Sequence, residues 1–305
     1  MIDTIVQVIL LLLMPPLLLG VIIKIKAGFA GRVGAPLLQP YHDIIKLFQK
    51  GSVLSRNTTW VFLAGPAITA VAVLIAGLLV PMGGQPAPIH FSGDLILFAY
   101  LLALGRFFTA IAALDTGSAF EGMGAAREVT FACLAEPALF FGMLALARLS
   151  GGLSLSSFFG GHIPAAWVSA APTMVLVLAG LFIVVLVENS RIPFDDPNTH
   201  LELTMIHEVM VLDHGGPALG AVLYGAAIKL YVLSSLVVRM AIPLSTDQPV
   251  LRWPVFILSM LAVAALIGVI ESIMARLRLL HIPNLLVGAC LLTGFGFVLL
   301  LGSPR

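Results

Sequence analysis

Long apolar runs separated by short polar clusters occupy most of the chain. Stretches near 4–23, 59–81, 93–114, 129–148, 167–188, 218–243, 252–275 and 282–301 each supply about 20 mostly apolar residues, the length a helix needs to cross a bilayer core. They predict an all-α integral membrane protein of about eight transmembrane helices, one polytopic domain over residues 1–305. Two longer connections remain, about 24–58 and 189–217, each with an amphipathic pattern of its own.

Composition agrees with the pattern. Hydrophobic residues make up 60% of the chain and charged residues only 10%, whereas a soluble domain carries about a quarter charged residues. The net charge of +1 argues against nucleic acid as a partner. Cys133 and Cys290 lie in apolar runs without a neighbour at metal spacing, so a disulfide, zinc or iron–sulfur framework is not expected. The first apolar stretch, interrupted by Pro15 and Pro16, has no basic leader and no small-residue cleavage site, and reads as a retained helix.

Basic residues orient the chain. Lys24, Lys26, Arg32, Lys46, Lys50 and Arg56 fill the first long connection, and Arg127, Arg191, Arg276 and Arg278 fall on the same side. Only Arg148, Arg239, Arg252 and Arg305 fall opposite. Both termini are therefore expected outside, with the two long connections in the cytoplasm of a cell bounded by a plasma membrane. In the first connection, Pro40 can open a helix, after which Ile44, Ile45, Leu47 and Phe48 alternate with Asp43, Lys46, Gln49 and Lys50.

The second connection gathers Glu188, Asp195, Asp196, Glu202, Glu208 and Asp213 among apolar residues such as Met205, Ile206 and Val209. Such a segment is expected to pack against the bundle and carry carboxylates into a low-dielectric setting, where protons exchange near neutral pH. His200, His207 and His214 recur every seven residues; on a helix they would share a face about 10 Å apart, too far to hold one metal ion. His207-Glu208 opens like a zinc-protease helix, but Val211 stands where the second histidine belongs. These histidines are expected to accept hydrogen bonds or relay protons.

Ionisable residues also fall within or at the ends of the spans: Arg106, Glu128, Glu136, Glu188, Lys229 and Glu271. Each charge at mid-bilayer costs roughly 2.5–3.5 kcal/mol on insertion scales, so such groups face the protein interior, pair or neutralise. One such pair is merely structural; four glutamates and a lysine across several spans point to a polar path for protons or other ions.

Several stretches resemble a known family. Arg191-Ile-Pro-Phe-Asp-Asp-Pro, followed by Leu-Glu-Leu at 201–203, is similar to the cytoplasmic loop of subunit 1 of respiratory complex I. Arg32-Val-Gly-Ala-Pro, Gln39-Pro-Tyr-His-Asp-Ile-Ile-Lys-Leu, Leu114-Asp-Thr-Gly-Ser-Ala-Phe, Gly124-Ala-Ala-Arg-Glu, Glu136-Pro and Met274-Ala-Arg-Leu-Arg-Leu look closer to the equivalent membrane subunit of group 4 NiFe hydrogenases, such as formate hydrogenlyase and hydrogenase-4. The resemblance implies a subunit that joins a peripheral arm, bearing a NiFe large subunit and iron–sulfur subunits, to antiporter-like membrane subunits. It implies no redox cofactor and no catalytic centre in this chain. It assigns Asp195 and Glu202 to the loop that senses chemistry in the arm, and Glu128 and Glu136 to the start of a proton path. Arg32, Asp43 and Lys46, with Arg191 of the loop, would contact the arm. Glu188, Glu208, Lys229 and Glu271 complete the expected path. Asn198 and His200 stand where complex I carries further glutamates, which favours the hydrogenase type over a quinone-reducing subunit. A free-standing secondary transporter is the remaining alternative, though no internal repeat supports it.

Overall fold

The computed structural model describes residues 2–160, 162–195, 205–243 and 249–302. Among these residues all regular structure is helical. Eight helices are long and apolar enough to span a membrane. They are α1 (Ile2–Phe29), α3 (Trp60–Leu78), α4 (Asp94–Asp115), α5 (Ala119–Ser150), α8 (Ala171–Glu188), α9 (Gly216–Ala241), α10 (Pro249–Ile273) and α11 (Ile282–Gly302). The short helices α6 (Leu155–Phe158) and α7 (His162–Ser169) cover one end of the bundle. The amphipathic α2 (Gln39–Gln49) lies across α1 and α9, with Pro40 in its first turn as expected. The protein is a multi-pass membrane protein.

Two elements depart from the sequence reading. α5 begins at Ala119, ten residues before the expected 129, so Arg127 is not in a connection and Glu128 is not at a helix start. The helix predicted from 167 is two pieces, broken at Ala170 between α7 and α8. The acidic connection is not helical beyond one 3₁₀ turn, Glu208–Val211, among its described residues. His207 and His214 therefore do not share a helical face, and His200 and Glu202 lie outside the described residues.

α1 continues through Pro15 and Pro16. A proline offers no N–H, so the carbonyl four residues earlier loses its helical donor; for Pro16 that carbonyl belongs to Leu12. The Tyr224 hydroxyl on α9 donates to it at 2.8 Å, and the Tyr41 hydroxyl on α2 donates to the next carbonyl, Leu13. The Tyr224 hydroxyl thus replaces the donor that Pro16 lacks, and the two tyrosines together fasten α2 and α9 to α1.

Elsewhere the spans approach through small residues, as membrane helices do. A Cβ at Gly180 of α8 would meet the Ala289 carbonyl oxygen of α11 at 3.1 Å. Gly124 of α5 matters more for function: a Cβ there would lie 3.0 Å from the Ile206 carbonyl oxygen and inside the Val209 side chain. The missing side chain lets the acidic connection lie flat on α5. Arg127 pins it there, donating to the Met205 carbonyl at 2.9 Å.

Candidate functional site

A buried ionic cluster occupies the middle of the bundle. Arg106, on α4, reaches three carboxylates from two other helices. Its Nη2 stands 2.6 Å from Glu188 Oε1, its Nη1 pairs with Glu136, and its Nε lies 3.7 Å from Glu128 Oε1. Lys229 of α9 holds the other oxygen of Glu188 at 2.8 Å. Glu188 is almost fully enclosed, while the Glu136 side chain keeps 42% of its surface exposed on the outside of the bundle. Glu128 and Glu136 lie two helical turns apart on one face of α5, which is why one guanidinium can contact both. The cluster borders a narrow cavity of about 70 Å³ lined also by Thr69, Thr109 and His207.

A second group lies toward the long connections. Glu271 of α10, with no exposed side-chain surface, is held by Lys26 at 2.8 Å and Arg191 at 3.4 Å. Asp195 pairs with Arg276 at 2.8 Å and accepts the backbone N–H groups of Ile206 at 2.9 Å and His207 at 3.2 Å. Both carboxylates border a cavity of about 330 Å³ between α1, α2 and α9, lined also by Asp43 and Glu208 and by the apolar Leu19, Ile22 and Leu223.

The turn that ends α8 stands between the two cavities. Arg191 N–H bonds the Leu186 carbonyl at 2.8 Å and Ser190 N–H the Val187 carbonyl at 3.0 Å, the paired bonds of a Schellman ending. Ser190 occupies the left-handed position with φ of 50°, a place usually given to glycine and costing a residue with a Cβ roughly 1–2 kcal/mol.

His207 and His214 are both pushed below the usual histidine range, first by burial. For His207, Glu128 and Asp195 oppose that shift and Lys229 adds to it. For His214, a hydrogen bond with the Phe62 carbonyl and the charge of Asp213 oppose it. The His214 ring stacks on Phe62 with centroids 4.0 Å apart.

The structure brings Glu128, Glu136, Glu188 and Lys229 together, and separately Asp195, Glu208, Arg191 and Glu271. Arg32 and Lys46 are exposed on the face of the first connection. Asp43 accepts a bond from Gln39 at 2.8 Å and borders the larger cavity. Arg191, expected at the arm contact, turns inward to Glu271. Glu202 falls outside the described residues.

Sequence reasoning singled out Arg106 only as an oddity within a span, yet it is the centre of the cluster. It also passed over Glu121, fully buried in the first turn of α5 and accepting the Asp213 N–H at 3.0 Å. Neither role has a local signal, because the partners of Arg106 lie 30 and 82 residues away. Among the described residues no group of three or more histidines, cysteines or acids could hold a metal ion.

Comparison with known proteins adds a family. The profile described as NADH dehydrogenase matches residues 2–302. Hydrogenase-4 component C of Escherichia coli (strain K12) is 32% identical over 91% of this chain and 89% of that protein. Formate hydrogenlyase subunit 4 of the same organism is 31% identical over 97% of this chain and 95% of its own length. A subunit of the NADH-quinone oxidoreductase of Rubrobacter xylanophilus is 29% identical but matches 59% of this chain and 55% of that protein. A chain in a solved structure of the membrane-bound sulfane sulfur reductase, an archaeal respiratory membrane complex, has the same fold. It superposes with a TM-score of 0.84 at 20% identity, covering 98% of both chains.

Proposed function

The chain belongs to the NADH dehydrogenase family, and from that premise we propose that it is the membrane-anchor and ion-coupling subunit of a group 4 NiFe hydrogenase complex of the formate hydrogenlyase type. The match to hydrogenase-4 component C and formate hydrogenlyase subunit 4 spans nearly the whole chain, whereas matches to quinone oxidoreductase proteins cover less, 59% of it in one and 69% in another. In this reading the NiFe site and the iron–sulfur clusters reside in partner subunits of a peripheral arm, seated on the exposed Arg32 and Lys46 face. The electron chemistry happens there; this chain moves charge in response. Both termini face outward across the plasma membrane, and the connections that meet the arm face the cytoplasm.

The observation that carries the reading is the cluster around Arg106. Three carboxylates face two cations, leaving one negative charge uncompensated, and a single added proton makes the group neutral. In a medium of low dielectric that difference is large enough to couple to charge placed nearby. Glu136 gives the cluster an outlet, since a half-exposed carboxylate in the middle of a span calls for a neighbouring membrane subunit rather than lipid. Antiporter-like subunits are the partners that would receive the ion.

The direct test is purification of the tagged chain from its native membrane in mild detergent. Co-elution of a NiFe large subunit and iron–sulfur proteins in constant ratio is expected. A stable chain eluting alone, and moving solute by itself in liposomes, would favour a free-standing transporter instead.

The larger cavity supports one second reading. Its volume of about 330 Å³, with both apolar and charged residues in its lining, has the character of a site for an amphipathic ring such as a quinone. Displacement of a labelled quinone analogue by substitutions at Asp43 or Glu271 would establish that reading.

A further inference from the structure

The two cavities meet at one wall, formed by Asn189, Ser190, His207, Val222 and Ala226, each of which lines both. Four of the five cannot exchange a proton near neutral pH. Val222 and Ala226 are apolar, Ser190 is a hydroxyl, and Asn189 is an amide whose Nδ2 is committed to the Val185 carbonyl at 2.7 Å. His207 is the exception. Its backbone is fixed by Asp195, while its ring makes no hydrogen bond to a described residue.

We propose that His207 is the proton relay between the two cavities, a role that rests on the ion-coupling reading given above. The imidazole takes a proton at one ring nitrogen from the larger cavity, where Glu208 and Asp43 stand. The proton on the other ring nitrogen then passes to a carboxylate of the central cluster, with Glu128 the acceptor whose charge acts on the ring. One proton enters and one leaves, so no oxidant or reductant is needed; rotation of the ring restores the starting tautomer. Asp195 is a positioning residue here. Its carboxylate, anchored by Arg276, holds the Ile206–His207 backbone so that the ring stays in the wall.

The charges facing the ring suit this task. Glu128 from α5 and Asp195 from the connection favour the transient imidazolium, and Lys229 from α9 opposes it. Arg106 and Glu188 border the smaller cavity, and Lys26 and Glu271 the larger one. Burial dominates the balance and keeps the resting ring neutral, able to act as a base. A fixed imidazolium would instead be a barrier to further protons.

The test uses the complete complex in sealed vesicles, with reduced viologen as electron donor and protons as acceptor, and reads vesicle pH alongside hydrogen evolution. His207→Gln keeps the size and polarity of the wall but cannot relay. Proton movement per hydrogen formed is expected to fall by roughly 10²-fold, and the acid limb of the pH profile, where the wild-type ring becomes fixed in its charged form, should disappear. His207→Ala should be partly rescued by added imidazole, which a structural role would not produce. Wild-type proton movement and an unchanged pH profile in His207→Gln would overturn the proposal while leaving the ion-coupling reading intact. A wild-type complex that evolves no hydrogen and moves no protons would sink that reading instead. Should neither variant assemble, infrared difference spectra on reduction of the unmodified complex decide. A change in a histidine ring band is expected, and its absence overturns the relay.

Discussion

Residues act here through what surrounds them. Arg106 in isolation is an expensive guest in a span; set against Glu128, Glu136 and Glu188 it organises three helices. Removing one partner from a buried ion group of this kind costs about 3–5 kcal/mol, because the remaining charges are left uncompensated. His214 shows the same dependence on surroundings and gives a pH test. Buried against Phe62, it is pushed below its ordinary value of about 6.5. Opening the 205–215 segment releases the ring to water, so the open form binds a proton more readily than the closed one. The stability this adds to the closed form is fully present above the open-state value and is lost as pH falls through it. Amides 206–214 should therefore lose hydrogen-exchange protection, after correction for intrinsic rates, as pH falls below about 6.5. In His214→Phe, which keeps the stacking, the loss should shrink to the part that buried His207 on the same segment contributes; an equal loss in both proteins would exclude His214 as a cause.

At the scale of elements, the tie between α1 and α9 depends on a carbonyl that Pro16 deprives of its helical partner. Tyr224→Phe should destabilise the protein in detergent by about 1–3 kcal/mol, the cost of an acceptor left unsatisfied away from water. Pro16→Ala returns an N–H to the Leu12 carbonyl, so Tyr224→Phe in that background should cost much less. Thermal unfolding of the four proteins of this cycle gives the coupling directly; equal costs in both backgrounds would mean the hydroxyl has some other role. The spans themselves were legible in the sequence, because twenty apolar residues in a row permit few alternatives. The start of α5 was not. Residues 119–128 are mostly small or charged, with Phe120 and Met123 among them, and Gly124 lets the acidic connection settle on the helix they form. The seven-residue spacing of the histidines, which would share a face only on a helix, is no guide to the path of residues 205–211: α5 and the Asp195 carboxylate hold them in an irregular course with one 3₁₀ turn. Glu128, Glu136, Glu188 and Lys229 could be picked out as charges in apolar runs; that Arg106 joins them required the packing of α4 against α5.

The molecule as a whole is a bundle with two polar regions separated by a thin wall. One faces the connections, with Asp195, Arg276, Lys26, Arg191 and Glu271; the other lies at the centre, with Arg106, Lys229 and their carboxylates. An arm docked on the connections would touch the first, and a membrane neighbour at Glu136 would touch the second. On the reading proposed above, the arrangement would turn an event at one surface into a change of charge at the other. The most direct measurement is proton or sodium movement into vesicles during turnover of the purified complex, comparing wild type with Glu188→Gln. Among the described residues, Glu188 is the carboxylate that Arg106 and Lys229 share. The account predicts an assembled complex whose electron transfer persists in the presence of an uncoupler while ion movement drops at least about tenfold, a loss of roughly 1.4 kcal/mol or more in barrier terms. Ion movement at the wild-type rate and stoichiometry in Glu188→Gln would contradict it.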